Sequence, residues 1–312
     1  MIEDGAEVLA HVVRGGVVES VHRGHLVVLG PDGAVRLRRG DPDVTFFARS
    51  ALKPVQAVAM LRSGLDLHDE LLALACASHS GEPAHLAGVR RILDGAGLDV
   101  ADLQNTPALP LDAGAAFAWR SAGNEPSSLT QNCSGKHAAM LATCVAAGWD
   151  RAAYRGPAHP LQQAVQAAVA ELTGDGDPAH TTVDGCGAPL FSCTVTGLAR
   201  AFARIATAAP GTPEHRVATA VRAHPWWLGG TGRFATQLIG AVPGLVAKDG
   251  AEGVFAAALP DGGAVAVKIA DGSARPVPPV VTAALGIEGL DEIGRVPVLG
   301  HGEPVGEVEP LR

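Results

Sequence analysis

Two groups of short β-branched stretches sit at the ends of this 312-residue chain, and the long interval between them repeats with helical spacing. At the N-terminal end, Glu7–Arg14 and Val17–His22 flank Gly15-Gly16, a two-residue hairpin signal, and His25–Leu29 and Ala34–Arg38 flank Pro31-Asp32-Gly33. Near the other end, Gly253–Leu259 and Ala264–Ile269 bracket Asp261-Gly262-Gly263. From about Ser50 to Val221 the apolar residues recur every three or four positions, over Ala51–Arg62, Glu70–Ala77, Ala84–Asp94, His137–Ala147, Leu161–Leu172, Pro189–Ala206 and Pro213–Ala223. This pattern predicts an α+β fold: one antiparallel sheet built from residues 5–48 and 245–312, a helical region over 49–225, and a single functional unit over 1–312. A site is expected in the cleft between sheet and helices.

Composition removes several classes of function. Hydrophobic residues make up 47% and charged residues 18%, too apolar and too weakly charged for a disordered chain. The formal net charge of −8 offers no basic stripe for nucleic acid. No uncharged apolar run is long enough to span a membrane, and the acidic start lacks the form of a secretory signal. Five widely spaced cysteines, an odd number, point to free thiols or a metal site in a cytoplasmic protein, not to a disulfide framework. Of the 24 basic residues only four are lysines: Lys53, Lys136, Lys248 and Lys268. Arginine serves wherever a surface cation is enough, so a surviving lysine marks a place where an amine that can lose its proton has a use.

Arg49-Ser50-Ala51-Leu52-Lys53 places a lysine one helical turn after a serine, within reach of its hydroxyl. Serine is a poor nucleophile until a base takes its proton, and a buried lysine serves as that base. The same residues also read as a serine N-cap before an ordinary helical lysine. Cys76-Ala77-Ser78-His79-Ser80-Gly81-Glu82-Pro83 reads equally as a cleft-lining loop and as a helix-capping segment. Asn132-Cys133-Ser134-Gly135-Lys136-His137 gathers more chemistry than a solvated helix start requires, and Asp184-Gly185-Cys186-Gly187 sets a cysteine between two glycines. Cysteine spacing alone does not announce a metal site here. Lys248-Asp249-Gly250 opens the C-terminal strand group, where the glycine would let a substrate approach the strand backbone. Ser-x-x-Lys on a helix followed by Lys-x-Gly on a strand is the pairing of penicillin-recognising serine enzymes. Lys268, in mid-strand, reads as structural.

On these residues, from about Val12 to Ala274, the chain resembles the Rhizobium-type L-asparaginases, the asparaginase II family. The resemblance rests on Arg49-Ser50-x-x-Lys53, Ser78-His79-x-x-Glu82, Asn132-Cys133-Ser134-Gly135-Lys136-His137, Asp184-Gly185-Cys186-Gly187 and Lys248-x-Gly250-Ala251-Glu252-Gly253. It implies a fold like serine β-lactamases and class A glutaminases, a homodimer, and hydrolysis of L-asparagine to L-aspartate and ammonia. It implies two catalytic Ser–Lys pairs, Ser50 with Lys53 and Ser78 with Lys248, although Ser80 stands close to Ser78. It implies a Zn²⁺ site of Cys133, Lys136 and Cys186. Arg49, Asn132, His137 and Asp184 are the candidate substrate-binding residues, with Asp184 expected on the α-amine and Arg49 or His137 on the carboxylate. The Ser-x-Asn element of β-lactamases is missing, and the only tyrosine is Tyr154, which speaks against a lactamase. A glutaminase, or a non-catalytic amino-acid or zinc-binding protein of the same fold, are the alternatives.

Overall fold

A computed structural model describes residues 1–311; Arg312, the last position of the expected sheet span, lies outside the described residues. The strands are β1 (Glu7–Arg14), β2 (Val17–Leu29), β3 (Val35–Arg39), β4 (Thr45–Phe47), β5 (Thr181–Val183), β6 (Pro189–Thr194), β7 (Val246–Gly250), β8 (Val254–Ala258), β9 (Ala264–Ile269), β10 (Pro297–Gly300) and β11 (Glu303–Pro310). The main sheet runs β10-β11-β1-β2-β9-β8-β7, with β3 also on β2, and all its pairings are antiparallel. N- and C-terminal strands therefore do share one sheet, joined where β2 pairs β9 with Val27 opposite Ala266. Gly15 and Gly16 close the first hairpin at φ +55° and +80°, a pair of left-handed positions that matches the strand twist.

The helix Lys53–Arg62 is buried along nearly its whole length, from Lys53 to Leu61. It is apolar all round because other helices surround it. Pro54 sits in its first turn, where a missing N–H costs nothing. The helix Val195–Ala206 covers one face of the sheet, with Val195, Leu198 and Phe202 buried over β2, β8 and β9.

Three expectations need correction. Pro189–Ala206 is not one helix: Pro189–Thr194 is a buried strand between β4 and β5, and the helix starts only after Thr194, whose hydroxyl accepts from the Gly197 N–H. A fully buried strand is apolar on both faces and mimics helical periodicity over so short a run. A second, three-stranded sheet, β4-β6-β5, thus interrupts the helical region. The C-terminal part is not all sheet, since Val277–Leu285 is helical. Among the described residues no helix is long and apolar enough to cross a membrane.

Candidate active site

Ser50 lies in a short 3-10 turn, Arg49–Leu52, between β4 and the Lys53–Arg62 helix. Arg49 enters this turn at φ +53°, a left-handed conformation that costs a non-glycine residue about 1–3 kcal/mol and collects at functional sites. The half-buried Ser50 hydroxyl has no hydrogen-bond partner among the described residues. The turn packs against the edge strand β7 at Gly250, where an added Cβ would stand 2.6 Å from the Ala48 carbonyl oxygen and 3.3 Å from the Ala51 nitrogen. The glycine therefore admits the chain's own turn; this close approach is not the substrate's, as the sequence suggested. Lys248 shares its strand face with Gly250, two residues along, so its buried side chain belongs to the wall against which Ser50 is held. Gly250→Ala is expected to cost about 1–3 kcal/mol of stability. By displacing the turn it should also lower turnover by about 10²-fold; melting temperature and ammonia release measure the two effects.

The lysines do not choose the expected partners. Lys53 Nζ, 1% exposed, donates to the Ala77 carbonyl, to Ser78 Oγ at 3.0 Å and to Cys133 Sγ at 3.1 Å, with no hydrogen bond to Ser50. Lys248 Nζ donates to the Asp249 carbonyl at 2.8 Å and to Asp249 Oδ1 at 2.7 Å, with none to Ser78. Burial pushes Lys248 down to about 8; the Asp249 carboxylate beside it works against this fall, and Lys53 and Arg233 add to it. Of the two neighbouring serines, Ser78 meets the lysine, while Ser80 Oγ donates to the Gly229 carbonyl at 3.0 Å. The Ser78–Glu82 loop is fixed from two sides. Ser78 and Ser80 N–H donate to the Leu228 and Gly229 carbonyls, His79 N–H to that of Asn132, and the Glu82 carboxylate takes the Thr231 N–H and hydroxyl. Neither Ser80 nor Glu82 caps the next helix through its side chain.

Cys133, Lys136 and Cys186 converge. Lys136 Nζ lies 3.1 Å from Cys186 Sγ, and Cys133 and Cys186 are buried together with Ala188. The Cys133–Cys186 hydrogen bond, with Lys53 and Lys136 nearby, holds Cys133 well below the usual thiol value and Cys186 above it. Two sulfurs and two amines thus form one buried cluster. Burial works to lower Lys136, yet Cys186 and Cys133 beside it leave its pKa above that of an ordinary lysine.

Arg49 and Asp184, expected on different ends of a substrate, pair with each other, Nε to Oδ1 at 2.7 Å. Oδ1 also takes the Gly185 N–H, which leaves Oδ2 and the two terminal guanidinium nitrogens without hydrogen bonds among the described residues. Asn132 Oδ1 accepts from Gln131 Nε2 at 2.8 Å. His137 is a correction: it is wholly buried, its Nδ1 lies 2.7 Å from the Tyr154 hydroxyl, and burial keeps it well below the usual imidazole range. A neutral buried ring offers no charge to a carboxylate. Arg233, which escaped the sequence analysis, holds Asp249 Oδ2 through Nη2 at 2.8 Å; nothing local to Arg233 signals a partner sixteen residues on. A cavity of about 940 Å³ lies elsewhere, between Leu9 and Leu26 of the sheet and Val280 of the Val277–Leu285 helix, and is lined by none of these side chains.

A sheet of terminal strands with a helical lobe beside it thus holds a Ser-x-x-Lys turn against its edge strand. The model of one family, described as L-asparaginase II, matches residues 10–310. The chain belongs to that family, a family of amidohydrolases. Among solved structures it is similar to Mglu in its glutamate form, at 17% identity and a TM-score of 0.44, over 86% of this chain and 60% of that one. It is similar to a putative β-lactamase from Bacteroides dorei, at 14% identity and 0.46, over 84% and 93%. It is also similar to EstCE1, a hydrolase with promiscuous acyltransferase activity, at 14% and 0.41, over 91% and 95%. The chain spans 60% of the length of Mglu. No curated protein matches the sequence.

Proposed function

We propose that this chain hydrolyses the side-chain amide of L-asparagine to L-aspartate and ammonia, with Ser50 as the nucleophile. The observation that carries this reading is the Ser50 turn, held against β7 at Gly250, with a hydroxyl that has no hydrogen-bond partner among the described residues and with the Lys53–Ser78 pair and the buried Lys248 on the elements that flank the turn. Ser50 Oγ attacks the amide carbon. Its proton passes to a lysine amine of this group, through the Ser78 hydroxyl where that amine is Lys53, to which Ser78 is bonded, or directly where it is Lys248. The C–N bond breaks, the departing nitrogen takes the proton as ammonia, and water hydrolyses the Ser50 ester. Oriented N–H donors at the Ser50 turn and along the β7 edge serve the oxyanion, each worth about 10²–10³ in rate. The free guanidinium edge of Arg49 and the free oxygen of Asp184 suit the α-carboxylate and α-ammonium of an amino acid, and Asn132 lies on the same loop as Cys133. Ammonia release from purified protein, measured side by side on asparagine and glutamine, tests the assignment; a higher kcat/KM on glutamine overturns it.

Two thiols and an amine that converge in a buried cluster suit Zn²⁺, which takes thiolate and nitrogen donors with water to complete four. Cys133, Lys136 and Cys186 would hold it, and once bound it would supply a fixed positive charge that orients substrate. The amine and thiols must shed protons to ligate, so zinc content should fall as pH drops. Cys186→Ser should lose most of the metal. Metal analysis of protein prepared without chelators checks both, and equal zinc in wild type and Cys186→Ser sinks the site.

The five cysteines are all buried and free, which supports a reducing, cytoplasmic setting. A homodimer rests on the family resemblance; light scattering on the purified protein tests it.

A further inference from the structure

Lys248 does not stand alone with its carboxylate. Asp249 is divided between two cations: Oδ1 lies 2.7 Å from Lys248 Nζ and Oδ2 lies 2.8 Å from Arg233 Nη2. Arg233 is the residue immediately before the Phe234–Ala241 helix, and that helix packs on β7. Lys248 is fully buried, while Arg233 and Asp249 are half-buried, so the arginine approaches the pair from its solvent side. We propose that Arg233 is a positioning residue for Lys248: by holding the second oxygen of Asp249 it fixes the carboxylate on the amine and balances its charge, so that Lys248 can give up and take back a proton. This deepens the proposed function and rests on the role given there to Lys248.

The electrostatic sense follows from what faces the amine. Asp249 on its own strand favours the ammonium form; Arg233 from the loop and Lys53 from the Lys53–Arg62 helix oppose it. Cys76, at the end of the Asp69–Ala75 helix, also lies near, but burial pushes its thiol up to about 12, so it brings no charge. β8 and the Phe234–Ala241 helix contain no charged residue. The charged groups of the other elements against β7 are engaged elsewhere. Arg49 holds Asp184, Arg222 the Gly244 and Ala206 carbonyls, Arg204 the Leu172 carbonyl, Arg200 Asp175, Arg216 the Leu67 carbonyl and Glu214 Arg62. Without Arg233 the full charge of Asp249 falls on Lys248, and the amine keeps its proton to higher pH.

Only four lysines are present, so protein labelled with ¹³C at lysine Cε lets Lys248 be followed by NMR, its signal assigned by its loss in Lys248→Met. In Arg233→Gln, which keeps a donor for Asp249 but no charge, the Lys248 midpoint should rise by about one pH unit, equivalent to tenfold in proton affinity. The acid limb of kcat/KM on asparagine should move with it while the alkaline plateau is kept. Arg233→Lys should leave the midpoint near that of the wild type. Should Arg233→Gln not fold, Asp249→Asn tests the same contacts from the other side, because loss of the carboxylate must move the midpoint to lower pH. An unmoved midpoint in either variant overturns the proposal, as does a uniform rate loss at every pH with the midpoint unchanged. A midpoint that moves without the rate limb supports the hold of Arg233 on Lys248 and overturns instead the part given to Lys248 in the reaction, so the two failures are told apart.

Discussion

Ser50→Ala is expected to lower ammonia release from asparagine by about 10⁴-fold or more, with the melting temperature almost unchanged. The two halves of this result have separate causes. In the proposed reaction the Ser50 hydroxyl is the atom that bonds to substrate. The same hydroxyl, half-buried and without a partner, contributes no hydrogen bond to the fold, so its removal should fall within about 0.5 kcal/mol of wild-type stability. Lys53→Met should show the same loss of rate but not the same stability. Its amine is buried against the Ala77 carbonyl, Ser78 and Cys133, and an orphaned buried acceptor costs about 1–3 kcal/mol. The double variant should be little slower than either single one, because residues that act as a unit lose their function once. Rate losses that multiply would mean that Ser50 and Lys53 act independently. Since Lys53 is bonded to Ser78 and not to Ser50 in the resting protein, Ser78→Ala should join the same non-additive set.

Lys248→Arg should be nearly as damaging as Lys248→Met, with kcat reduced about 10²–10⁴-fold, the range of a lost acid–base group. The charge survives in the arginine variant, and so does most of the reach; what disappears is an amine able to titrate, because a guanidinium stays protonated at any working pH. With its pKa pushed down to about 8, Lys248 is mostly protonated at pH 7 and mostly neutral at pH 9. If the neutral amine is the proton acceptor, wild-type kcat/KM rises through about pH 8, and that limb should be missing in Lys248→Arg. A near-normal rate in Lys248→Arg would make Lys248 an electrostatic anchor for a carboxylate and remove it from proton transfer. Lys268→Arg is the control. Lys268 Nζ donates to the Glu252 and Ile269 carbonyls and touches none of the site residues, so the change should alter stability while the folded protein keeps its turnover.

The site's composition was legible before its wiring. Arg49-Ser50-x-x-Lys53, Ser78, Cys133-x-x-Lys136, Cys186 and Lys248-x-Gly250 were all singled out from the sequence, and the fold gathers them around one turn and one strand edge. The assignment of each amine to a partner was not legible. Ser-x-x-Lys suggests a bond within the motif, yet Lys53 bonds the Ala77–Ser78 loop instead, which itself is held by Leu228, Gly229 and Asn132. Likewise, Arg49 and Asp184 are 135 residues apart, and their pairing exists only because the 184–187 loop folds back over the turn. His137 reads as polar and available next to Lys136, but the Ser134–Ala147 helix turns it inward to Tyr154.

The sequence by itself determined the hairpins at Gly15-Gly16 and Asp261-Gly262-Gly263, most helices and the choice of Lys53, Lys136 and Lys248 as candidate site lysines. These depend on backbone periodicity, turn conformation and residue chemistry, all expressed within a few neighbouring positions. Only the tertiary structure decided that Pro189–Thr194 is a strand, that Gly250 makes room for the Ala48 carbonyl, that Lys53 bonds Ser78, and that Arg233 and Lys248 divide one carboxylate. Apart from the bond of Lys248 to its neighbour Asp249, these are contacts between separate segments of the chain, and their energy comes from burial and from the exclusion of water around polar pairs. Such a contact leaves no local pattern to be read, because either partner alone is compatible with many others until packing removes the rest.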